Sequence, residues 1–328
     1  MNRIFRAILN FLPFANPVPT KTFLRRSMAK NRRNLSVLAS RLGFVGARRV
    51  GKSRNGNTVL KLNRKTALGE RGALLEIPQD NMIYWHIKNY GVWEEEECLY
   101  LAGLLNRYSA GQNQILGAEK TTDNAVTFLD LGANSGLVSL QVIALAETKC
   151  SVIMVEPILS HVEAIQFNIK TLNDSVDISI HNFALGAENG KFSIFTQKSN
   201  RGNSSLFKTV VGSDFEENFI EVVETKGFCE RYLNTQNSFV IKSDLQGFDA
   251  AVLSRIPKNV WKQTKGAVVE VWALPEVLPS DVLAIENLWK DFSSMSWQSD
   301  FTDLINFRDI SDFWLSKSGK HKNLFLKR

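Results

Sequence analysis

The chain has 328 residues, 44% of them hydrophobic and 22% charged, with a formal net charge of +7. That balance excludes a globally disordered chain and leaves enough apolar side chain for a sizeable core. With only three widely spaced cysteines, Cys98, Cys150 and Cys229, it also argues against a disulfide framework or a cysteine zinc site and suits a reducing cytosol.

The basic excess sits at the start. Residues 1–65 contain no Asp or Glu but carry Arg25, Arg26, Arg32, Arg33, Arg48, Arg49 and many other cations. Residues 1–55 read as a basic leader, interrupted by Pro13, Pro17 and Pro19. Such an arm suits an anionic membrane surface, an anionic polysaccharide or nucleic acid, and equally a solvated leader. Ile4, Ile8, Phe11 and Leu12 share one side of a short helix that could lie on a membrane surface. No apolar run approaches the roughly 18 residues that cross a bilayer, and the expected location is cytoplasmic, with peripheral membrane contact as an option.

Residues 56–120 read as strands and a helix packing on a later domain. TVLKL (58–62), ALLEIP (73–78) and MIYWHI (82–87) are expected as strands. VWEEEECLYLAGLLN is expected as a helix whose acidic first turn suits the helix dipole, followed by a loop over 109–124. From residue 121 to the end, apolar strands alternate with helices. The strands are AVTFLDLG, SVIMVEP, VDISIHNFAL, FVIKSD and AVVEVW, with helices over 136–147, 161–172, 247–255 and 281–292. KFSIFT and NFIEVVET form a polar hairpin-like pair, and HKNLFLKR is a last edge strand. Strands that are apolar on both faces predict a mostly parallel, doubly wound α/β sheet covered by helices.

The chemistry concentrates in the turn after the first of these strands, Asp130-Leu131-Gly132-Ala133-Asn134-Ser135-Gly136. Ligands of open α/β sheets bind at the carboxyl ends of strands near the switch point. Dinucleotides use GxGxxG there, and Asn134 breaks that pattern. Asp130 would repel a pyrophosphate but suit S-adenosylmethionine (SAM), which carries an ammonium and a sulfonium and no phosphate. Glu156, ending the second strand, suits the ribose hydroxyls of SAM or of a nicotinamide dinucleotide.

These residues resemble the FkbM family of SAM-dependent methyltransferases. The resemblance runs from about residue 80 to the C-terminus, through FLDLGANSG (128–136), VEP (155–157), HNFALG (181–186), NSSL (203–206), FVIKSDLQGFDAAVL (239–253) and VVEVW (268–272). It implies a Rossmann-like class I methyltransferase fold with an N-terminal extension, and O-methylation of a hydroxyl on a sugar, glycan or other small molecule. It further implies that Asp130, Gly132, Ala133, Asn134 and Gly136 surround the methionine end of SAM. Glu156 would hold the ribose, Pro157 would lie beside the adenine, and Asn182 and Ala184 would flank it. The family's usual Lys-Ile-Asp-Val-Glu-Gly run is Lys242-Ser243-Asp244-Leu245-Gln246-Gly247 here, so a Gln replaces the usual Glu.

Methyl transfer to an alcohol needs alignment and a proton acceptor. Asp244 is the candidate for base or acceptor-orienting group, and helix capping is its ordinary alternative. Strand alternation puts Lys242 on the same face, and a buried Lys needs a carboxylate, for which Glu270 on the next strand is a candidate. No spacing calls for a metal. The competing functions are a nucleotide-cofactor oxidoreductase and a non-catalytic SAM-binding module. Nucleic acid is disfavoured as a substrate, because the Pro-Pro-Tyr and Pro-Cys signatures of base methylases are absent.

Overall fold

A computed structural model describes residues 46–114, 126–172, 176–198 and 200–328. The proposed surface helix near the N-terminus lies outside these residues.

The central sheet has seven strands. Five neighbouring strands run parallel: β4 (Val126–Leu131), β5 (Ser151–Val155), β6 (Asp177–His181), β11 (Ser238–Ser243) and β12 (Thr264–Trp272). Their spatial order is β12-β11-β4-β5-β6; β14 (His321–Lys327) pairs antiparallel with β12, and β13 (Ser294–Ser296), antiparallel to β14 and so running with the other five, lies outside it. From β4 the chain winds outward through β5 and β6, then returns to β11 on the other side of β4. The switch point therefore falls between β4 and β11. This is the mostly parallel, doubly wound α/β architecture that the alternating pattern predicts, with the Rossmann-like strand order that the resemblance implies. Contrary to expectation, the last strand is not an edge, because β13 covers it. Three residues, Ser294–Ser296, are too short to signal a strand in a sequence.

Every residue of β4 is buried, and its alternation feeds two cores. Val126 and Phe128 pack towards α2 (Glu95–Gln114) and α3 (Leu137–Leu145). Leu129 and Leu131 pack towards the layer of α7 (Asp249–Leu253), α8 (Lys258–Gln263) and α9 (Pro279–Trp289) on the opposite face. That second core is filled by Trp261, Trp289 and Trp314, all fully buried. Helix α4 (Leu159–Asn168) follows β5.

A small antiparallel sheet, β1 (Ala47–Lys52), β2 (Thr58–Leu62) and β3 (Leu74–Ile77), packs through Leu60, Leu75 and Ile77 against Leu137 and Leu140 of α3. Strand β1 lies inside the stretch assigned to the basic leader, so folded chain begins by residue 46. Its exposed Arg48 and Arg49 hid it from a hydrophobicity pattern. MIYWHI is not a strand. It belongs to α1 (Asn81–Tyr90), whose end signals override its β-rich composition. The Asp80 carboxylate caps the amides of Met82 and Ile83, Ile83 and Ile87 make the buried stripe, and Gly91 ends the helix at φ 76°. Helix α2 extends to Gln114, into the segment expected as loop.

A third sheet, in the order β7-β10-β8-β9, contains β7 (Ala184–Gly186), β8 (Gly190–Gln197), β9 (Asn200–Ser205) and β10 (Phe215–Glu224). The expected hairpin pair is β8 and β10. Strand β9, which the sequence pattern missed, carries the NSSL element to the carboxyl edge of the central sheet. There the Ser205 hydroxyl donates to the Gln246 carbonyl at 2.7 Å. Among the described residues, no helix is long and apolar enough to cross a membrane.

Candidate active site

The strand β4 turn is shaped by two glycines for different reasons. Gly132 has φ 78°, and a Cβ there would lie 1.9 Å from the Asp244 carbonyl oxygen. Only glycine lets the ends of β4 and β11 approach so closely. Gly136 has φ 75° and starts α3, and its missing side chain leaves room for Ile165 of α4. It therefore packs helices and does not line a cavity. Between them, Asn134 adopts φ 51°, a conformation asparagine tolerates. This aims its amide at the Glu156 carboxylate, 2.9 Å away.

Glu156 is 5% exposed. One carboxylate oxygen accepts from Asn134, and the other accepts from the Ile158 amide at 3.0 Å and lies 3.3 Å from His161 Nδ1. These contacts fix the carboxylate at the wall of a first cavity, of about 710 Å³ empty volume. Gly132, Asn134, Pro157 and Ala184 share that wall, as do apolar Ile158 and Phe248. Asn182 lies off it. Its amide donates to the carbonyls of Glu156 and Pro157 at 3.0 and 2.9 Å, so it shapes the turn and does not line the cavity.

Asp130 departs from its expected place. It is fully buried behind the turn and reaches neither cavity. The parallel register sets it directly across from Lys242. Its carboxylate accepts from Ser139 at 2.6 Å and lies 3.4 Å from Lys242 Nζ. Its charge is thus matched inside the protein, which removes the direct repulsion of a phosphate argued from sequence.

Lys242 donates to the Gly132 carbonyl at 2.9 Å and lies 3.6 Å from Asp244 Oδ2. Burial alone would weaken its hold on a proton, but Asp130, Asp244 and Glu94 reverse that and keep it charged. The expected Lys242–Glu270 pair does not form. One Glu270 oxygen is 2.8 Å from His321 Nδ1, and the other accepts from Trp272 Nε1 at 2.6 Å and Gln246 Nε2 at 3.1 Å. Register explains this, because β14 places His321 opposite Trp272 while β4 supplies the partner of Lys242.

Gln246, at φ 49°, joins the two acids. Its Nε2 donates to Asp244 at 2.8 Å as well as to Glu270. Burial pushes the Asp244 carboxyl up, yet Lys242 and hydrogen bonds from Glu270, Gln246 and Lys242 outweigh it and hold it below the usual carboxylate range. Burial, then the neighbouring Asp244, hold Glu270 well above that range. Of the two acids, Asp244 is the one held towards its ionised form. Asp249 is a separate matter: it caps the turn below, accepting from Ser243 and the Leu245 amide, and burial pushes it up to about 7.

A second cavity, of about 1060 Å³ empty volume, adjoins the first, and Asn134, Gly202, Asp244 and Gln246 line both. Its walls add Ala133, Glu94, Trp93, Glu270, Trp272 and His321, the last two stacked with centroids 4.4 Å apart. Sequence reasoning missed Glu94, Trp93 and His321. The signal for Glu94 was its place before the helix, but four successive glutamates disguised it as ordinary first-turn charge. Among the described residues, no group of three or more ligating side chains could hold a metal ion.

No protein-family model matches the chain, and no curated protein is significantly similar to it. Solved structures with a similar fold include the FkbM methyltransferase of Methylobacillus flagellatus KT, 13% identical with a TM-score of 0.37. That match covers 65% of this chain and 46% of the other, so the chain spans about half of that protein's length. A SAM-dependent methyltransferase from Agrobacterium tumefaciens is 11% identical, covering 85% of this chain and 75% of its own, with a TM-score of 0.36. Aeropyrum pernix fibrillarin with bound S-adenosyl-L-methionine is 11% identical, covering 86% of this chain and 98% of its own, with a TM-score of 0.31. The fold class stands on the strand order described above.

Proposed function

We propose that this chain is a SAM-dependent methyltransferase of the FkbM type that methylates a hydroxyl on a sugar, glycan or other small-molecule acceptor. The observation that carries the reading is the composition of the first cavity. It lies at the switch point, it is walled by the carboxylates of Glu156 and Asp244, and among the described side chains no Lys or Arg lines it. A dinucleotide would bring a pyrophosphate up against these two carboxylates. SAM brings a nucleoside, an ammonium and a sulfonium, and no phosphate, so electrostatics favours it.

The residues fit the group. Glu156 offers its carboxylate to the ribose diol, and Ile158 and Phe248 offer apolar faces to the adenine. Asn134 Oδ1 is a buried acceptor without a partner, at the junction of the cavities. When bound, SAM supplies the electrophilic methyl. The chain's own part is to orient and to take a proton. Asp244 stands between the cavities, ionised and steadied by Lys242 and Gln246. An acceptor hydroxyl in the second cavity would meet it there and lose its proton to it as oxygen attacks the methyl. The stacked Trp272–His321 pair offers a flat face of the kind sugar rings pack on.

Calorimetry with SAM and with NAD, followed by transfer of labelled methyl from SAM to a panel of methyl glycosides, tests the reading. Binding of SAM and not NAD, with label in a glycoside, is the expected result. Binding of NAD, or no binding of SAM, refutes it. Mass spectrometry of glycans from cells with and without the gene then seeks the acceptor as a loss of one methyl.

A further inference from the structure

Glu94 sits at φ 45°, where a non-glycine residue is strained, and its carbonyl accepts from the Cys98 amide to start α2. The loop is anchored from beneath. Gln141 of α3, 1% exposed, accepts from the Trp93 amide at 3.0 Å and donates back to the Trp93 carbonyl. Helix α3 is also the helix that leaves the Gly132–Gly136 turn, so the turn and Glu94 are held in one frame. The Glu94 carboxyl lines the second cavity and has no hydrogen bond or ion pair among the described residues. Burial pushes it well above the usual carboxylate range, and Lys242 only partly offsets this. Lys242 is already engaged by Gly132, Asp130 and Asp244.

Asn134 lines both cavities, and its Oδ1 has no hydrogen-bond partner among the described residues. Two residues that carry acceptors without donors, one of them acidic, thus line one cavity with Asp244. An acceptor left unpaired beside a cavity is open to a ligand that donates. We propose that Glu94 and Asn134 together receive the α-ammonium of SAM where the two cavities join. This rests on the cofactor reading above and extends it to a residue outside the glycine turn. Docking of the ammonium beside Glu94 favours its charged form and opposes the effect of burial, so SAM binding should release protons relative to a ligand without the ammonium.

The test compares SAM, its deamino analogue and 5′-methylthioadenosine, which lacks the amino acid, on wild type and Glu94→Gln by calorimetry. Wild type should prefer SAM to the deamino analogue by about tenfold to a hundredfold. Glu94→Gln should erase that preference while binding 5′-methylthioadenosine as wild type does, which also shows that the variant is folded. Titration of wild type in buffers of different ionisation heat should show proton release with SAM and none with 5′-methylthioadenosine. An undiminished preference for SAM in Glu94→Gln overturns the proposal, as does equal weakening of all three ligands. If wild type binds none of them, the methyltransferase reading itself has failed.

Discussion

Lys242 and Asp130 face one another across parallel strands, with Nζ and Oδ1 3.4 Å apart and side chains 6% and 0% exposed. The pair belongs to the frame of the site, because the same ammonium also holds the Gly132 carbonyl. Removing one member of a buried pair strands the other charge, at a cost of about 3–5 kcal/mol. Lys242→Met should therefore lower unfolding stability in urea by that order. The double change Lys242→Met with Asp130→Asn should recover part of the loss, since Asp130 is then no longer an unmatched charge, while Asp244 still lacks its cation. A fully additive double mutant would show that the two are not coupled. Asp130→Ala should accordingly act first on stability and only through it on SAM.

Glu156 should act on affinity. Its carboxylate already accepts from two backbone amides, so Glu156→Gln keeps one acceptor oxygen but loses the charge and the two-oxygen grip on a diol. SAM affinity should fall by about tenfold to a hundredfold, the range of a hydrogen bond to a charged group. Calorimetry with SAM and with 5′-methylthioadenosine checks this, because both carry the ribose and both should weaken alike. A change confined to SAM would move Glu156 away from the ribose.

The parts of this site that a sequence displays are those dictated locally. An apolar strand followed by Gly132 and Gly136 can do little but turn tightly into a helix, and Glu156 stands in the same place relative to the next strand. What depends on register across distant strands was hidden. Lys242 could have met Glu270 or Asp130, and only the pairing of β11 with β4 and of β12 with β14 decides it. Asp130, expected at the cofactor, is screened for the same reason. Glu94 was hidden differently. Its chemistry comes from one left-handed residue that turns it out of the first helical turn, and Glu95, Glu96 and Glu97 beside it give the local pattern a sufficient explanation. The end signals of α1, Asp80 and Gly91, stand in the sequence, but the β-rich composition between them points the other way.

Asp249 makes a prediction about pH and stability. Burial pushes its carboxyl up to about 7, against about 4 for an unfolded aspartate. The unfolded chain thus loses this proton at a lower pH than the folded one. Its contribution favours folding at pH below about 4 and declines as pH rises towards 7, then stays level. Glu270 and Glu94 tilt stability the same way, and Asp244, held low, the opposite way, so the comparison must be with a variant. The stability of Asp249→Asn relative to wild type should rise between pH 5 and pH 7 in urea unfolding. Parallel curves over that interval would mean that Asp249 is ionised in both states.

Asp244 carries the sharpest kinetic expectation. Asp244→Asn keeps the shape of the junction and its bond to Gln246 but cannot take a proton. Turnover should fall by about a hundredfold to ten-thousandfold, the usual worth of a positioned base, with SAM affinity little changed. The wild-type rate should hold as pH falls through the ordinary carboxylate range, because Lys242 and Gln246 keep Asp244 ionised there. Gln246→Leu removes one of those donors while leaving Lys242 in place, so the acidic limb of the rate profile should move to higher pH. Glu270→Gln should be mild by comparison, since burial and the neighbouring Asp244 already disfavour its charged form and a neutral amide can still donate to Asp244. The decisive contrast is between these variants in one assay of methyl transfer to a glycoside. If Glu270→Gln abolishes turnover and Asp244→Asn does not, the base is Glu270, and the roles assigned to the two acids are reversed.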